Sequence, residues 1–234
     1  MSGTENQDGA MDALSGASFA VRGKAKGGSL RQRKKDGRRA AILRAARLIF
    51  SEKGYEDASI TDIARLAAVA DGTIYRHFTN KKDLLYHVMI AFYERIIADV
   101  EQEVAQASDF RDRLYRLIRR HLLVFAEDVD LCRLFIREVR TADDYYNSLV
   151  YALNRRYTSI LLDILKHGAD EGEMLPDVNP KMVRDMVYGA IEHLAWRMVS
   201  GKGVLKIDAL ARQLSEVVLF GISVPRGSVR ERVR

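Results

Sequence analysis

The chain has 234 residues and a formal net charge of +6, and 47% of its residues are hydrophobic. This composition is typical of a soluble protein with one or two domains and a substantial core. No apolar run approaches the roughly 20 residues that a membrane-spanning helix needs, and residues 1–21 hold acidic but no basic side chains, unlike a secretory signal, so we expect a cytoplasmic protein without a membrane partner.

The positive charge is concentrated at the two ends of the chain. Residues 22–39 hold nine Lys or Arg against one Asp, a net charge of +8, and residues 226–234 hold four Arg against one Glu, a net charge of +3. Residues 1–36 are rich in Gly and Ser, so we predict a disordered basic N-terminal arm there and a basic C-terminal tail at 223–234. A basic arm is typical of a protein that binds a polyanion, and a solvated tail without a partner is an equally good interpretation.

The chain between the arm and the tail is predicted to be all-α. Residues 73–167 form a run of 95 residues without Gly or Pro, the strongest helix breakers. Ser59 and Asn80 are suited to cap the N-termini of helices, and Gly54 is suited to end one. The spacing of apolar residues predicts helices at about 37–53, after Ser59, at 71–77, after Asn80, and at 109–127, 130–140, 143–170, 180–200 and 206–222.

Residues 59–78 are predicted to form two short helices joined by an Ala-rich turn, which lets the helices approach closely. The residues predicted to form a small core between them are Ile63, Leu66, Val69, Ile74 and Phe78. The polar residues left outside this core are Thr73, Tyr75, Arg76 and His77. A helix-turn-helix that reads DNA needs this division, with an apolar side that sets the angle and a polar side for the major groove. Many helix pairs in bundles look similar, so the pattern alone leaves both interpretations open.

The stretch RAAILRAARLIFSEKGYEDASITDIARLAAVADGTIYRHFTNKKDLL, residues 39–85, resembles the DNA-binding domain of TetR-type transcriptional regulators. The resemblance implies an N-terminal three-helix helix-turn-helix domain at 37–83. It also implies a C-terminal helical ligand-binding and dimerisation domain at 84–222. Such a protein is expected to act as a homodimer on a palindromic operator in double-stranded DNA, as a repressor that a ligand releases.

The resemblance also implies which residues contact DNA. The positions carried over are Ser59, Thr61, Gly72, Thr73, Tyr75, His77 and Lys81, with Arg76 added from its predicted outward position. Ser59, Thr61 and Lys81 are expected to meet phosphates, and Gly72 is expected to let the recognition helix lie close to the DNA. The basic arm is expected to strengthen this binding, in the way that arms follow the minor groove.

The sequence departs from the family pattern in the turn between the two short helices. Ala68 stands where the family often has Gly, and Ala70 stands where it often has Ser. The loss of a capping Ser costs about 1 kcal/mol of local helix stability. Asp71 is expected to replace part of that cap, although it could instead accept a hydrogen bond from a cytosine amine in the DNA.

Residues from about 86 onward are predicted to bind a small-molecule effector in a cavity between helices. Aromatic and basic candidates for this site are Phe92, Tyr93, Phe125, Arg133, Arg137, Tyr146, His193, Trp196 and Arg197. Arg133, Arg137 and Arg140 recur at helical spacing, so they could orient an anionic head group, and a solvated face or an interface is an equally good interpretation. The turn AVADGTIY is similar to that of fatty-acid-responsive family members, which makes an acyl-CoA or a fatty acid the working hypothesis for the effector.

An enzyme is the main rival interpretation. None of the five His residues has Glu or Asp three positions before it, and phosphate-loop, nucleophile-elbow and zinc-protease motifs are missing from the sequence. We therefore predict no enzymatic activity, cofactor or metal, and a helical enzyme with a dispersed site is the alternative. A second alternative is a non-specific nucleic-acid-binding protein that acts through its basic tails.

Overall fold

The computed structural model describes residues 30–222. The predicted C-terminal tail and residues 1–29 of the predicted arm lie outside the described residues. The elements of residues 30–222 are helices, which confirms the predicted all-α class. They are α1 (Leu30–Asp57), α2 (Ile60–Leu66), α3 (Asp71–Tyr75), α4 (Lys81–Ala105), α5 (Phe110–Glu127), α6 (Val129–Leu134), α7 (Leu149–Asp170), α8 (Pro180–Val199) and α9 (Ile207–Ile222). A π-helical turn (Phe135–Val139) follows α6, and a 3-10 turn (Tyr145–Asn147) precedes α7.

Two helices begin at other residues than predicted, each for a local reason. Helix α1 begins at Leu30 rather than at about Gly37, because Lys and Arg are good helix formers and one internal Gly costs only about 1 kcal/mol. The last residues of the predicted arm are therefore helical. Helix α7 begins at Leu149 rather than at 143, because Ser148 caps it by accepting a hydrogen bond from the Tyr151 N–H at 3.1 Å.

The caps predicted around the two short helices are confirmed. The Ser59 hydroxyl accepts a hydrogen bond from the Asp62 N–H at 3.0 Å, and the Asn80 side chain accepts one from the Asp83 N–H at 2.9 Å. Gly54 leaves the helical path of α1 with a φ of +77°, a backbone conformation that Gly adopts at little cost. Ser59 and Asn80 thus fix where α2 and α4 begin, whereas Gly54 interrupts the helical path of α1 three residues before the helix ends at Asp57.

Helix α4 is the centre of the part of the chain that follows the short helices. It packs against α5 and α7, and α5 packs in turn against α8 and α9. The apolar residues that recur at every fourth position of α4, and whose spacing predicts the helix, are all buried: Leu84, Val88, Phe92, Ile96 and Val100. Although α4 is long, no helix within residues 30–222 combines the length and apolar character that crossing a bilayer requires. We call residues 38–80 the head and residues 81–222 the body; the boundary predicted between 83 and 84 falls inside α4.

The spacing of apolar residues in the sequence predicts one buried stripe along α8 and one along α9, and these stripes are only partly core. The predicted residues are Val183, Val187, Ile191, Leu194, Leu210, Leu214, Val217 and Val218. In α8, Val183, Val187 and Ile191 are buried as predicted, whereas Leu194 is more than one-third exposed. In α9, Val217 is exposed, and the buried face instead consists of Ala211, Ser215, Val218, Leu219 and Ile222. Residues three and four apart share one face of a helix, so burial of this set directs Val217 outward.

Candidate functional site

The two short helices of the head are held by a small apolar core. Ile63, Ile74 and Phe78 are almost fully buried, as predicted, and Val69 packs against the same core. The prediction for Leu66 is wrong, since 51% of this residue is exposed and Ala64 is buried instead. The buried face of α2 passes through Ile63 and Ala64, about one turn from the start of the helix. Leu66, the last residue of the helix, lies at the edge of this face.

The turn between α2 and α3 contains backbone strain at one alanine. Ala68 has a φ of +55°, and it is the one non-glycine residue with a positive φ within residues 30–222. This conformation costs an L-residue roughly 1–2 kcal/mol. Ala70 precedes α3 and makes no side-chain cap. The prediction that Asp71 replaces this cap is wrong, because its carboxylate instead accepts a hydrogen bond from the Thr61 hydroxyl at 2.7 Å.

The outer side of α3 presents polar side chains and open backbone. Tyr75 is 56% exposed, Arg76 is exposed and donates a hydrogen bond to the Thr73 hydroxyl at 3.0 Å, and a Cβ at Gly72 would meet no atom within 4 Å. His77 is half-buried, with its ring 6.2 Å from that of Phe78. The structure thus brings the predicted recognition residues together on one exposed face, and their contacts with DNA stay a prediction.

Lys81 lies at the start of α4 and is already engaged with the end of α1. Its ammonium donates hydrogen bonds to the carbonyl oxygens of Tyr55, Glu56 and Ala58 at 2.8, 3.1 and 3.2 Å. It also lies 4.5 Å from the centre of the Tyr55 ring. An ammonium has three protons to donate, so the phosphate contact predicted for Lys81 requires it to release one of these carbonyls.

The body contains a cavity of about 170 Å³ between α4, α5, α7, α8 and the π-helical turn. Its walls are mainly aromatic and aliphatic, with a few polar groups among them: Phe92, Tyr93, Ile96, His121, Val124, Phe125, Cys132, Phe135, Ile136, Arg140, Asn154, Tyr157, Thr158, Tyr188 and Glu192. An apolar pocket with a few convergent polar groups is typical of a small-molecule site. Of the predicted effector-binding residues, Phe92, Tyr93 and Phe125 lie in these walls.

The polar groups inside the cavity are held in their uncharged forms. Burial lowers the pKa of His121 to about 3, and its Nδ1 is 2.7 Å from the Tyr157 hydroxyl oxygen. Burial likewise raises the pKa values of Tyr157 and of the Cys132 thiol. The Tyr93 hydroxyl donates to the Asn154 side-chain oxygen at 3.2 Å. The cavity therefore offers neutral hydrogen-bonding groups to a mainly apolar ligand.

One charged pair lies at the edge of this cavity. The Arg140 guanidinium donates two hydrogen bonds to the Glu192 carboxylate, at 2.7 and 2.8 Å. These bonds raise the pKa of Arg140 further, and both side chains are partly exposed. Such a two-point pairing matches a planar carboxylate or a phosphate, so an anionic ligand group could take the place of Glu192.

Comparison with known proteins assigns the chain to a family. Residues 42–88 match the family model described as bacterial regulatory proteins, tetR family, and residues 107–222 match the tetracyclin repressor-like C-terminal domain. The chain belongs to the TetR family. It is therefore a DNA-binding transcriptional regulator, with its head in the DNA-binding part and its cavity in the C-terminal domain.

Three relatives show how this TetR-family regulator compares with characterised proteins. The fatty acid metabolism regulator protein of Bacillus subtilis (strain 168) is 27% identical over 181 residues, which cover 77% of this chain and 93% of that protein. The transcriptional repressor KstR2 of Rhodococcus jostii (strain RHA1) is 24% identical over 197 residues, covering 82% and 94%. The crystal structure of FadR from Bacillus subtilis in complex with stearoyl-CoA has a TM-score of 0.70 at 27% identity, covering 78% of this chain and 98% of that one.

Six residues predicted for the effector site of this TetR-family regulator lie outside the cavity. Arg133 is bound to Asp130 at 2.6 Å and to the Val199 carbonyl at 2.8 Å. The other five are exposed side chains: Arg137, Tyr146, His193, Trp196 and Arg197. His193 and Trp196 line a separate surface depression. These six residues therefore do not line this cavity, and a role for them in effector binding stays a prediction.

Sequence reasoning missed the polar groups that do line the cavity. These are His121, Asn154, Tyr157, Thr158, Tyr188 and Glu192, on three different helices. One signal was available for His121, which stands at the start of the apolar run HLLVF. A single His beside an apolar run is more often a satisfied core residue than a ligand-binding one, so that signal was weak.

Proposed function

We propose that this TetR-family regulator is a ligand-released repressor that binds a palindromic operator in the cytoplasm as a homodimer. The effector in this proposal is an apolar molecule with an anionic end, of which an acyl-CoA or a fatty acid is the leading candidate. The observation that carries the proposal is the presence, in one chain, of an exposed polar recognition helix and of a mainly aromatic cavity between helices. A regulator whose DNA binding is controlled by a ligand needs two distinct sites, one for DNA and one for the ligand.

The head supports sequence-specific DNA binding. Hydroxyl groups and helix N-termini donate hydrogen bonds to phosphates, and side chains on a recognition helix reach base edges. Ser59 and Thr61 stand at the start of α2 with exposed side chains. Thr73 and Tyr75 stand on α3, and Arg76 follows directly at its C-terminal end. Their placement supports the positions carried over from the family pattern.

Apolar side chains on the outer faces of α8 and α9 support a homodimer. Met182, Met186 and Trp196 on α8 are about half exposed. On α9, most of Val217 and 95% of Phe220 are exposed. A group of large apolar side chains in contact with water marks an interface. A second copy of the chain, related by a two-fold axis, would cover these faces and give two recognition helices for two half-sites.

The cavity supports an apolar effector with an acidic group. Its aromatic walls suit an alkyl chain or a ring system, and Arg140 at its edge suits a carboxylate or a phosphate. The FadR of Bacillus subtilis, whose structure contains stearoyl-CoA, aligns with 78% of this chain. Stearoyl-CoA is therefore the first probe to test.

The proposal is tested by selecting bound fragments from a random pool of duplex DNA at near-physiological salt. We expect a palindromic motif from the full chain, and we expect stearoyl-CoA, but not coenzyme A alone, to release the selected fragment. Recovery of no motif, with binding lost on deletion of residues 1–36, would instead favour non-specific binding through the basic tails. A palindrome that stearoyl-CoA fails to release would retain the operator and reject this effector.

A further inference from the structure

Asp128 lies between the head, the ligand-binding helices and the long helix α4. It is the residue that ends α5 and precedes α6. Its side chain is only 2% exposed. One carboxylate oxygen accepts a hydrogen bond from Arg47 of α1, and the other accepts one from Arg95 of α4. A single buried carboxylate thus connects three helices.

The buried Asp128 carboxylate needs its two arginine partners more than the exposed arginines need the carboxylate. A buried charge is costly unless it is paired and hydrogen-bonded, so Asp128 needs both guanidinium groups where they are. Arg47 and Arg95 are 47% and 36% exposed, and water can solvate them if they leave. The buried carboxylate is therefore stabilised when both hydrogen bonds are formed, and losing either one leaves its charge poorly compensated.

The backbone of Asp128 is hydrogen-bonded to two residues that line the cavity. The Asp128 N–H donates to the Val124 carbonyl at 3.0 Å, and the Asp128 carbonyl accepts from the Cys132 N–H at 2.9 Å. Val124, Phe125 and Cys132 all line the cavity. The junction between α5 and α6 at Asp128 is therefore linked directly to the cavity wall.

Arg47 connects Asp128 with the head. It stands on α1 between Ala46 and Ile49, which are buried with Phe50 in the core. Arg95 stands on α4 near Phe92 and Ile96 in the cavity wall, and its guanidinium lies 5.7 Å from the Phe92 ring centre. Both partners of Asp128 therefore belong to the elements that connect the cavity with the recognition helix.

We infer that Asp128 is a positioning residue that holds the head in one orientation on the body, and that filling the cavity breaks its contact with Arg47. The operator readout of this inference rests on the proposed function, whereas the contact itself can be tested without DNA. In this mechanism the ligand acts by moving the α5–α6 junction, and the released head no longer presents its recognition helix in a fixed orientation.

The first test compares two disrupting variants with two controls by amide hydrogen exchange of the full chain. Asp128→Asn and Arg47→Met should raise exchange in residues 41–80 by about threefold or more relative to α7 of the same protein. Asp99→Asn is the carboxylate control, since Asp99 pairs with Arg95 and with Arg120 of the body. Arg44→Met controls for the loss of one positive charge on α1, where Arg44 is exposed.

The outcomes of this comparison separate the inference from a general loss of stability. Faster exchange in the head for both disrupting variants, and for neither control, supports the junction. Equal acceleration of head and α7, or the same effect from Asp99→Asn, would overturn it. If Asp128→Asn does not fold, Arg47→Met alone provides the comparison, because its half-exposed side chain is removed without leaving a cavity.

The second test fills the cavity without a ligand. Cys132→Met places extra atoms in the cavity wall, and it should weaken binding to the selected operator by roughly two- to thirtyfold, the range of coupling mutations. The effect should largely disappear in the Arg47→Met background, because the contact that transmits it is already broken. Equal weakening in both backgrounds would overturn the route through Asp128. If the wild-type chain binds no operator, the proposed function fails while the exchange comparison still decides on the junction.

Discussion

Polar side chains of α3 in the head lie in water, whereas those of the cavity in the body are shielded from it. Tyr75 and Arg76 are exposed at the C-terminal end of α3, while His121 and Tyr157 lie in contact with each other between α5 and α7, shielded from water. Water keeps the head residues free to exchange solvent for phosphate or base contacts. Burial keeps the cavity residues neutral and fixed in place. The same helical architecture thus provides one surface adapted to a polyanion and one interior adapted to an apolar ligand.

The largest effect expected from this contrast is a pH dependence of stability that His121 causes. Its pKa is about 3 in the folded chain against 6.5 as its ordinary value, so the unfolded chain binds a proton between these values that the folded chain does not. Stability should therefore fall as the pH is lowered from about 6.5 toward 3, by up to about 1.4 kcal/mol per pH unit. Denaturant unfolding of the wild type and of His121→Gln at several pH values measures this slope, which the variant should reduce.

His167→Gln is the matched control, because His167 is exposed. Burial also lowers the pKa of His87, so a part of the slope in the same direction should remain in both variants. A wild-type slope that His121→Gln leaves unchanged would mean that His121 is not buried in its neutral form.

Removal of an exposed aromatic side chain should weaken operator binding in the head and leave it unchanged in the body. Tyr75→Ala should weaken operator binding by about tenfold or more, in line with roughly 1–3 kcal/mol for a recognition contact. It should leave the melting temperature nearly unchanged, because Tyr75 is 56% exposed. Fluorescence anisotropy with the selected operator measures the affinity. Tyr146→Ala removes a similarly exposed Tyr from the body and should bind the operator as the wild type does.

Lys81 tests whether one residue at the joint of head and body acts on DNA or on the fold. Its three bonds to carbonyl oxygens predict that Lys81→Met lowers the free energy of unfolding by about 2 kcal/mol. The dependence of operator affinity on salt should stay close to that of the wild type. Denaturant unfolding and a salt titration measure the two quantities.

The control for this substitution is Lys82→Met, since Lys82 makes an exposed ion pair with Asp144 at 2.9 Å and such pairs contribute little to stability. A phosphate role for Lys81 would show the reverse pattern: unchanged stability and a salt slope reduced by about one.

The smallest expected effect concerns the strained turn of the head. Ala68→Gly should raise the free energy of unfolding by up to about 1 kcal/mol, because Gly adopts the observed φ of +55° without the cost that Ala bears. Thermal or denaturant unfolding measures the change. Ala67→Gly is the control, since Ala67 has a φ of −78° and Gly there should destabilise the chain. Equal changes from both substitutions would contradict the strain.

The head was largely predictable from sequence because its structure depends on neighbours in the chain. Ser59 and Asn80 cap helices through atoms three residues away, and Ile63, Ile74 and Phe78 form the predicted core within a short stretch. Short-range patterns of this kind are visible without an alignment or a structure. Leu66 and Asp71 were exceptions. The burial of Leu66 depends on its place at the end of a two-turn helix and not on the apolar spacing, and the Asp71 carboxylate accepts a hydrogen bond from Thr61 instead of capping α3.

The cavity was less predictable because its walls come from residues far apart in the chain. His121 and Tyr157 are 36 positions apart and meet only after α5 and α7 pack. The spacing of Arg133, Arg137 and Arg140 predicted one shared face. The π-helical turn intervenes, with the Arg140 N–H bonded to the Phe135 carbonyl at 2.8 Å, and this wider turn rotates the last arginine away from the first two.

The burial of Cys132 has a practical consequence for following the cavity in solution. Its thiol is the one cysteine of the chain, it lies in the cavity wall, and burial raises its pKa. Only the thiolate reacts quickly with disulfide reagents, so modification must wait until the wall opens. The rate at which such a reagent labels the native chain therefore reports how often the cavity wall opens, with no engineered probe. A bound ligand should lower this labelling rate.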